Sequence, residues 1–257
     1  MANYSVGDII KHTRIAAGMT QEELCEGICS VQTLSRIENK KHKVKKETYR
    51  QLMARLERIP EKKYALCTGK DMELLEEYNY IKDMIVKFDY EKADEYLVRI
   101  EDKIGEGAVN KQYILRTRAL LDFYNKRISA DEALKMIDEA IRLTVPEYKK
   151  YLDENIIYPY TEQEIVVLMN MATMLEHADR PEEALKIDEA LLNNIAAGYM
   201  QEHERAVFTI ALERNRIAIL DQIKRYEEIE QSVYNCYEMA KKYDYIIEIP
   251  ILLHSMV

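Results

Sequence analysis

Glycine and proline are scarce: 7 and 5 in 257 residues. Both lie well below average usage, which excludes collagen-like, low-complexity and turn-rich all-β chains. Tryptophan is absent and phenylalanine occurs three times. The longest apolar stretch, Ile165 to Leu175, is too short to span a bilayer and contains Asn170. The start, Met1 to Asp8, has no basic segment followed by an apolar run, so no signal peptide is expected and the chain reads as cytoplasmic. Cys25, Cys29, Cys67 and Cys236 lack paired CxxC spacing, and no second ligand pair follows Cys25 and Cys29, which argues against zinc. They read as small buried hydrophobes. His12, His42, His177, His203 and His254 form no HExxH or comparable cluster, and no Gly-rich phosphate loop or GxSxG occurs. No metal, no cofactor and no catalysis are expected.

What remains is 47 % hydrophobic and 32 % charged residues, neither disordered nor membrane-like. Abundant Glu, Lys, Leu, Ala and Ile with few turn residues predict an all-α protein. The net charge of −9 hides a split. Residues 1–70 carry 14 Lys/Arg against 8 Asp/Glu, and residues 71–257 carry 23 against 38. Such asymmetry marks a basic nucleic-acid-binding segment joined to something else.

In the basic segment a helix is expected over Val6 to Ala17, stopped by Gly18. Thr20 and Glu23 fit a capping box opening a short helix, Gln21 to Glu26, which Gly27 breaks. Ser30 caps a third helix, Val31 to Glu38, whose Leu34 and Ile37 face the core with Leu24. A fourth helix, about Lys46 to Leu56, closes that core with Leu52 and Leu56. Two short helices joined by a tight Gly-containing turn are the layout of a helix-turn-helix.

The stretch GMTQEELCEGICSVQTLSRIENKK, Gly18 to Lys41, resembles the Xre/Cro-type helix-turn-helix, as found in the RRNPP regulators of Gram-positive bacteria. The resemblance rests on Thr20-Gln21, Leu24, the turn at Ile28 to Ser30, and LSRIE at Leu34 to Glu38. It departs at Val44, where proline is common, and at Lys40, where many members have glycine; Asn39 is expected to supply a left-handed cap instead. The resemblance implies that the third helix enters the major groove of double-stranded DNA. Helical geometry lets Val31, Gln32, Thr33 and Arg36 point outward together. Gln32 suits adenine, Arg36 guanine, and Val31 or Thr33 a thymine methyl. Gln21, at a helix N-terminus, suits a phosphate, as do Lys40, Lys41 and Lys43. Ser30, at the start of the third helix, completes the DNA-binding set. The resemblance also implies an internal Arg14–Glu38 salt bridge between the first and third helices. Such proteins gain specificity by dimerising over two half-sites, so a homodimer is expected.

Residues 71–257 show an irregular repeat of helix pairs: Glu76 to Ile100, Thr117 to Ile141, Leu168 to Leu192 and Glu213 to Tyr237. After each turn comes a small or apolar residue, Ala93, Ala133, Ala184 or Ile229, spaced 40, 51 and 45 apart. This resembles tetratricopeptide repeats with widened connections, whose period is about 34. Ser129 with Glu132 and Thr161 with Glu164 are expected capping boxes, and Pro181 suits a first helical turn. The fold class is thus a helix-turn-helix domain, residues 1–70, followed by a tetratricopeptide-like solenoid, residues 71–257.

In the tetratricopeptide pattern one position of each first helix faces the concave groove: Asn79, Ala119, Asn170 and Asn215 here. An asparagine offers a donor and an acceptor, enough to clamp an extended peptide backbone. Arg118 or Arg214 suits a peptide carboxylate. Asp122, Thr173 and Asn125 lie further along. The RRNPP resemblance implies that this region binds a short signalling peptide and thereby changes the grip on DNA. The alternative is a repeat adaptor with a protein partner and constitutive DNA binding.

Overall fold

The computed structural model describes residues 6–16, 19–39, 41–42, 44–56, 72–103, 107–197 and 202–243. Helices account for all regular structure among them: α1 (Val6–Ala16), α2 (Gln21–Cys25), α3 (Val31–Glu38), α4 (Lys46–Arg55), α5 (Met72–Val86), α6 (Tyr90–Glu101), α7 (Ala108–Tyr124), α8 (Ala130–Arg142), α9 (Tyr148–Asp153), α10 (Glu162–His177), α11 (Pro181–Ala196), α12 (Glu202–Gln222) and α13 (Tyr226–Lys242). Among the described residues no helix is long and apolar enough to cross a membrane.

The first four helices enclose one apolar core. Ile10 of α1, Leu24 and Cys25 of α2, Leu34 and Ile37 of α3, and Leu52, Met53 and Leu56 at the end of α4 are buried together. The termini form as their side chains dictate. Thr20 Oγ1 accepts from Glu23 N while Glu23 Oε2 accepts from Thr20 N, the reciprocal box that satisfies two orphan amides. Ser30 Oγ accepts from Thr33 N at 3.1 Å and opens α3. The left-handed cap expected at Asn39 does not form. Asn39 has φ −96°, and its side-chain amide instead donates back to Ser35 O at 2.8 Å. Gly18 lies outside the described residues.

The later helices are antiparallel neighbours: α5 with α6, α7 with α8, α12 with α13. The expected small residues Ala93, Ala133 and Ala184 are fully buried, which lets helices approach closely. Both expected capping boxes are present, at Ser129–Glu132 and Thr161–Glu164. Pro181 is the first residue of α11.

Two compact units divide the chain, one drawn from Met1–Pro60, Lys149–Pro159 and Pro181–Val257, the other from Glu61–Tyr148 and Tyr160–Arg180. In the second, α5, α6 and α7 share a core of Ile81, Met84, Ala93, Leu97, Ile100, Tyr113 and Leu121, and α10 packs on α8. In the first, α11 packs on α12, and α12 with α13 encloses Ile210, Ile217, Val233, Cys236 and Ala240. The third expected pair, Leu168 to Leu192, is therefore divided between units: α10 belongs to one and α11 to the other.

Candidate functional site

On α3 the apolar side, Leu34 and Ile37, is buried, and Gln32 and Arg36 are turned to the other side. Thr33 shares a 2.8 Å hydrogen bond between its hydroxyl and Ser30 Oγ. Ser30 is thus occupied as a cap. Val31 departs from the expected outward set: it is half-buried and packs against the core, because the first turn of α3 leans on the α2–α3 turn. Lys41 is exposed; Lys40 and Lys43 lie outside the described residues. The expected bridge between α1 and α3 is present. Glu38 is buried and accepts from Arg14 Nε at 2.7 Å and Nη2 at 3.0 Å. The same carboxylate accepts from Gln21 Nε2 at 2.6 Å. Gln21, expected at a phosphate, is therefore tied at its amide nitrogen to the α1–α3 bridge, and its remaining N–H and its oxygen are what it can offer elsewhere.

In the repeat region, Asn170 of α10 is half-buried, and its Oδ1 accepts from Arg116 Nη1 of α7 at 3.2 Å. Asn79 of α5 is exposed. On α7 the expected groove residues face elsewhere. Arg118 bonds Asp94 and Glu101 of α6, its Nη2 lying 2.7 Å from Glu101. Burial opposes its charge, yet the Glu101 and Asp94 carboxylates hold its pKa above the ordinary value. Asp122 pairs with Arg127 at 3.0 Å, and Arg127 also reaches Asp94 at 2.6 Å. Asn125 donates to Tyr90 O at 3.4 Å. These three residues thus join α7 to α6 or close its own terminus. Arg116, one turn before the expected position Ala119, reaches across to α10. Thr173 Oγ1 donates to Met169 O one turn back, at 3.2 Å. In the other unit, on α12, Arg214 is exposed and Asn215 half-buried.

Residues 10–61 match the family model described as helix-turn-helix. The N-terminal bundle is a helix-turn-helix DNA-binding domain. By fold, the chain is similar to Bacillus thuringiensis PlcR, solved in complex with the peptide PapR7 and DNA: TM-score 0.60 and 17% identity, over 97% of this chain and 84% of that one. The resemblance to the RRNPP group stands at the level of the fold. Weaker likenesses, which carry no structural argument, are to a Listeria monocytogenes protein described as a transcriptional regulator (TM-score 0.38, 16% identity, 98% and 97% covered) and to the SHP pheromone receptor Rgg2 of Streptococcus dysgalactiae (0.31, 10%, 98% and 97%). No curated protein matches the sequence.

Two residues of the helix-turn-helix domain were not legible in the sequence. Arg55, at the end of α4, donates to the carbonyls of Glu23, Leu24 and Glu26, and so closes the open C-terminal end of α2. Gly7 sits where α1 crosses α3: a Cβ there would lie 1.9 Å from Ile37 O. Neither carries a sequence signal, since each depends on which distant backbone it meets.

Proposed function

We propose that the chain is a cytoplasmic transcription regulator that binds an operator as a homodimer through residues 1–70, while residues 71–257 sense a short signalling peptide. Peptide binding alters the grip on DNA. One observation carries this reading: a helix-turn-helix domain precedes helical repeats in the fold of PlcR, whose structure holds a peptide and DNA together. On the DNA side, Gln32 and Arg36 read base edges, and Lys41, with Lys40 and Lys43, neutralises phosphates. On the peptide side, Asn170 and Asn79 clamp the ligand backbone. The acidic repeat region supplies dimerisation and stays off the duplex, because like charge repels it.

The test is operator affinity with and without short peptides encoded by small reading frames beside the gene. A peptide that binds is expected to shift operator affinity by about 5–150-fold, the usual size of a coupling between sites. A peptide that binds and leaves both operator affinity and oligomeric state unchanged overturns the switch and favours the adaptor.

A further inference from the structure

We propose that Arg116 is the seat of a carboxylate on the ligand of the repeat region, an assignment that rests on the peptide-binding reading above. Arg116 lies in the middle of α7 and reaches across to α10. Its Nη1 donates to Asn170 Oδ1 at 3.2 Å and its Nη2 to Thr117 Oγ1 at 3.1 Å. Its Nε is buried and has no hydrogen-bond partner among the described residues. The guanidinium carbon stands 5.2 Å from the Tyr113 ring centre, and Tyr113 is 4.9 Å from Tyr78 of α5. Tyr78, Tyr113, Arg116 and Asn170 thus form one stripe across α5, α7 and α10.

The charge of Arg116 stands out by contrast with other arginines of residues 71–257. Arg118 takes Asp94 and Glu101, Arg127 takes Asp94 and Asp122, and Arg216 takes Glu189, Glu213 and Glu228. Arg116 hydrogen-bonds only a neutral amide oxygen and a neutral hydroxyl among the described residues. A part-buried guanidinium without a counter-charge loses hydration and gains no ion pair in return. Of its five N–H groups two are used, and each terminal nitrogen keeps a second hydrogen. Each of those two hydrogens is available for a charge-assisted bond to a carboxylate oxygen. Asn170, held at Oδ1 by Arg116, keeps its Nδ2 for a neighbouring ligand carbonyl. One contact thus orients anion and backbone reception together.

A peptide carries a carboxylate at its C-terminus or on Asp and Glu side chains, and matched pools separate the two. Heptapeptide pools randomised over Ala, Leu, Ile, Phe and Ser are made with a free C-terminal carboxylate, with a C-terminal amide, and with an amide plus one internal Asp or Glu. Binders to the full-length protein are recovered, sequenced by mass spectrometry and titrated individually. A binder with a carboxylate is expected to outbind its all-amide counterpart by about 10–100-fold, the worth of hydrogen bonds to a charged group. Arg116→Gln, shown to be folded by its thermal melt, is expected to abolish that difference between acid and amide, and to weaken both by releasing Asn170. Equal affinity of acid and amide for the wild-type protein overturns the assignment without any variant. So does a preference that survives Arg116→Gln with its size unchanged. If no pool binds, the peptide-binding reading falls, and the Arg116 assignment with it.

Discussion

Glu38 shows how much one side chain settles in the DNA-binding domain. It is 3 % exposed and holds Arg14 with two of its bonds and Gln21 with a third. Glu38→Ala leaves the Arg14 guanidinium, itself mostly buried, without its counter-charge; a loss of about 3–5 kcal/mol is expected in denaturant titrations. Gly7→Ala is expected to cost at least about 2 kcal/mol, because the close approach to Ile37 O is to backbone that cannot turn aside. Its signature is a melt lowered together with operator binding, since α3 is displaced. Arg36→Ala and Gln32→Ala act differently: stability stays within about 0.5 kcal/mol and sequence preference relaxes. An unchanged operator profile for Arg36→Ala assigns that residue to phosphate alone.

The scarcity of glycine reappears at the scale of the element. Five turns repeat one hydrogen-bond pattern that normally uses glycine at its left-handed position. Here that position is Phe88, Lys126, Asn155, Asp179 or Lys224, with φ between 49° and 60°. In each, the left-handed residue's N–H reaches back three residues and the next N–H reaches back five, as in Phe88 N to Ile85 O and Asp89 N to Met84 O. Asparagine and aspartate tolerate this backbone; phenylalanine and lysine are strained in it. Phe88→Gly, Lys126→Gly and Lys224→Gly are each expected to stabilise the fold by about 0.5–1 kcal/mol, read as a raised melting temperature. Phe88 is 78 % exposed, so its removal uncovers no core. The helix N-termini carry an opposite sensitivity. Hydrogen bonds from Thr20 depress the Glu23 pKa, and those from Ser129 depress that of Glu132. A carboxyl whose folded pKa lies below its unfolded value stabilises the fold above about pH 4.3, and that contribution disappears as pH falls through the folded pKa. Thr20→Ala and Ser129→Ala remove a cap and are each expected to lower the melting temperature at pH 7, and to lower it less below about pH 4.

At the scale of the whole molecule, the net charge of −9 conceals a basic N-terminal segment, residues 1–70, and an acidic remainder, residues 71–257. Operator affinity is expected to fall steeply with salt, and Lys41→Ala to reduce the slope of log affinity against log salt by about 1, uniformly across operator sequences. Asn170→Ala is expected to weaken peptide binding and to leave the helix-turn-helix melt unchanged; unaltered peptide affinity removes Asn170 from the clamp.

Sequence alone determined the all-helical class, the bounds of α3, the three capping boxes, the buried Leu34 and Ile37, and the Arg14–Glu38 bridge that the resemblance implied. These follow from side chains a few residues apart, or from a motif whose spacing is shared by many proteins. Tertiary structure alone decided the rest. It set the rotation of α7, which turns Arg118 onto α6 and aims Arg116 at Asn170. It set the closeness of α1 to α3 at Gly7, the cap that Arg55 places on α2, and the assignment of α10 and α11 to different units. A helix presents several faces with similar patterning, and which one meets a neighbour is chosen by the sum of its packing contacts. No short window of sequence contains that sum.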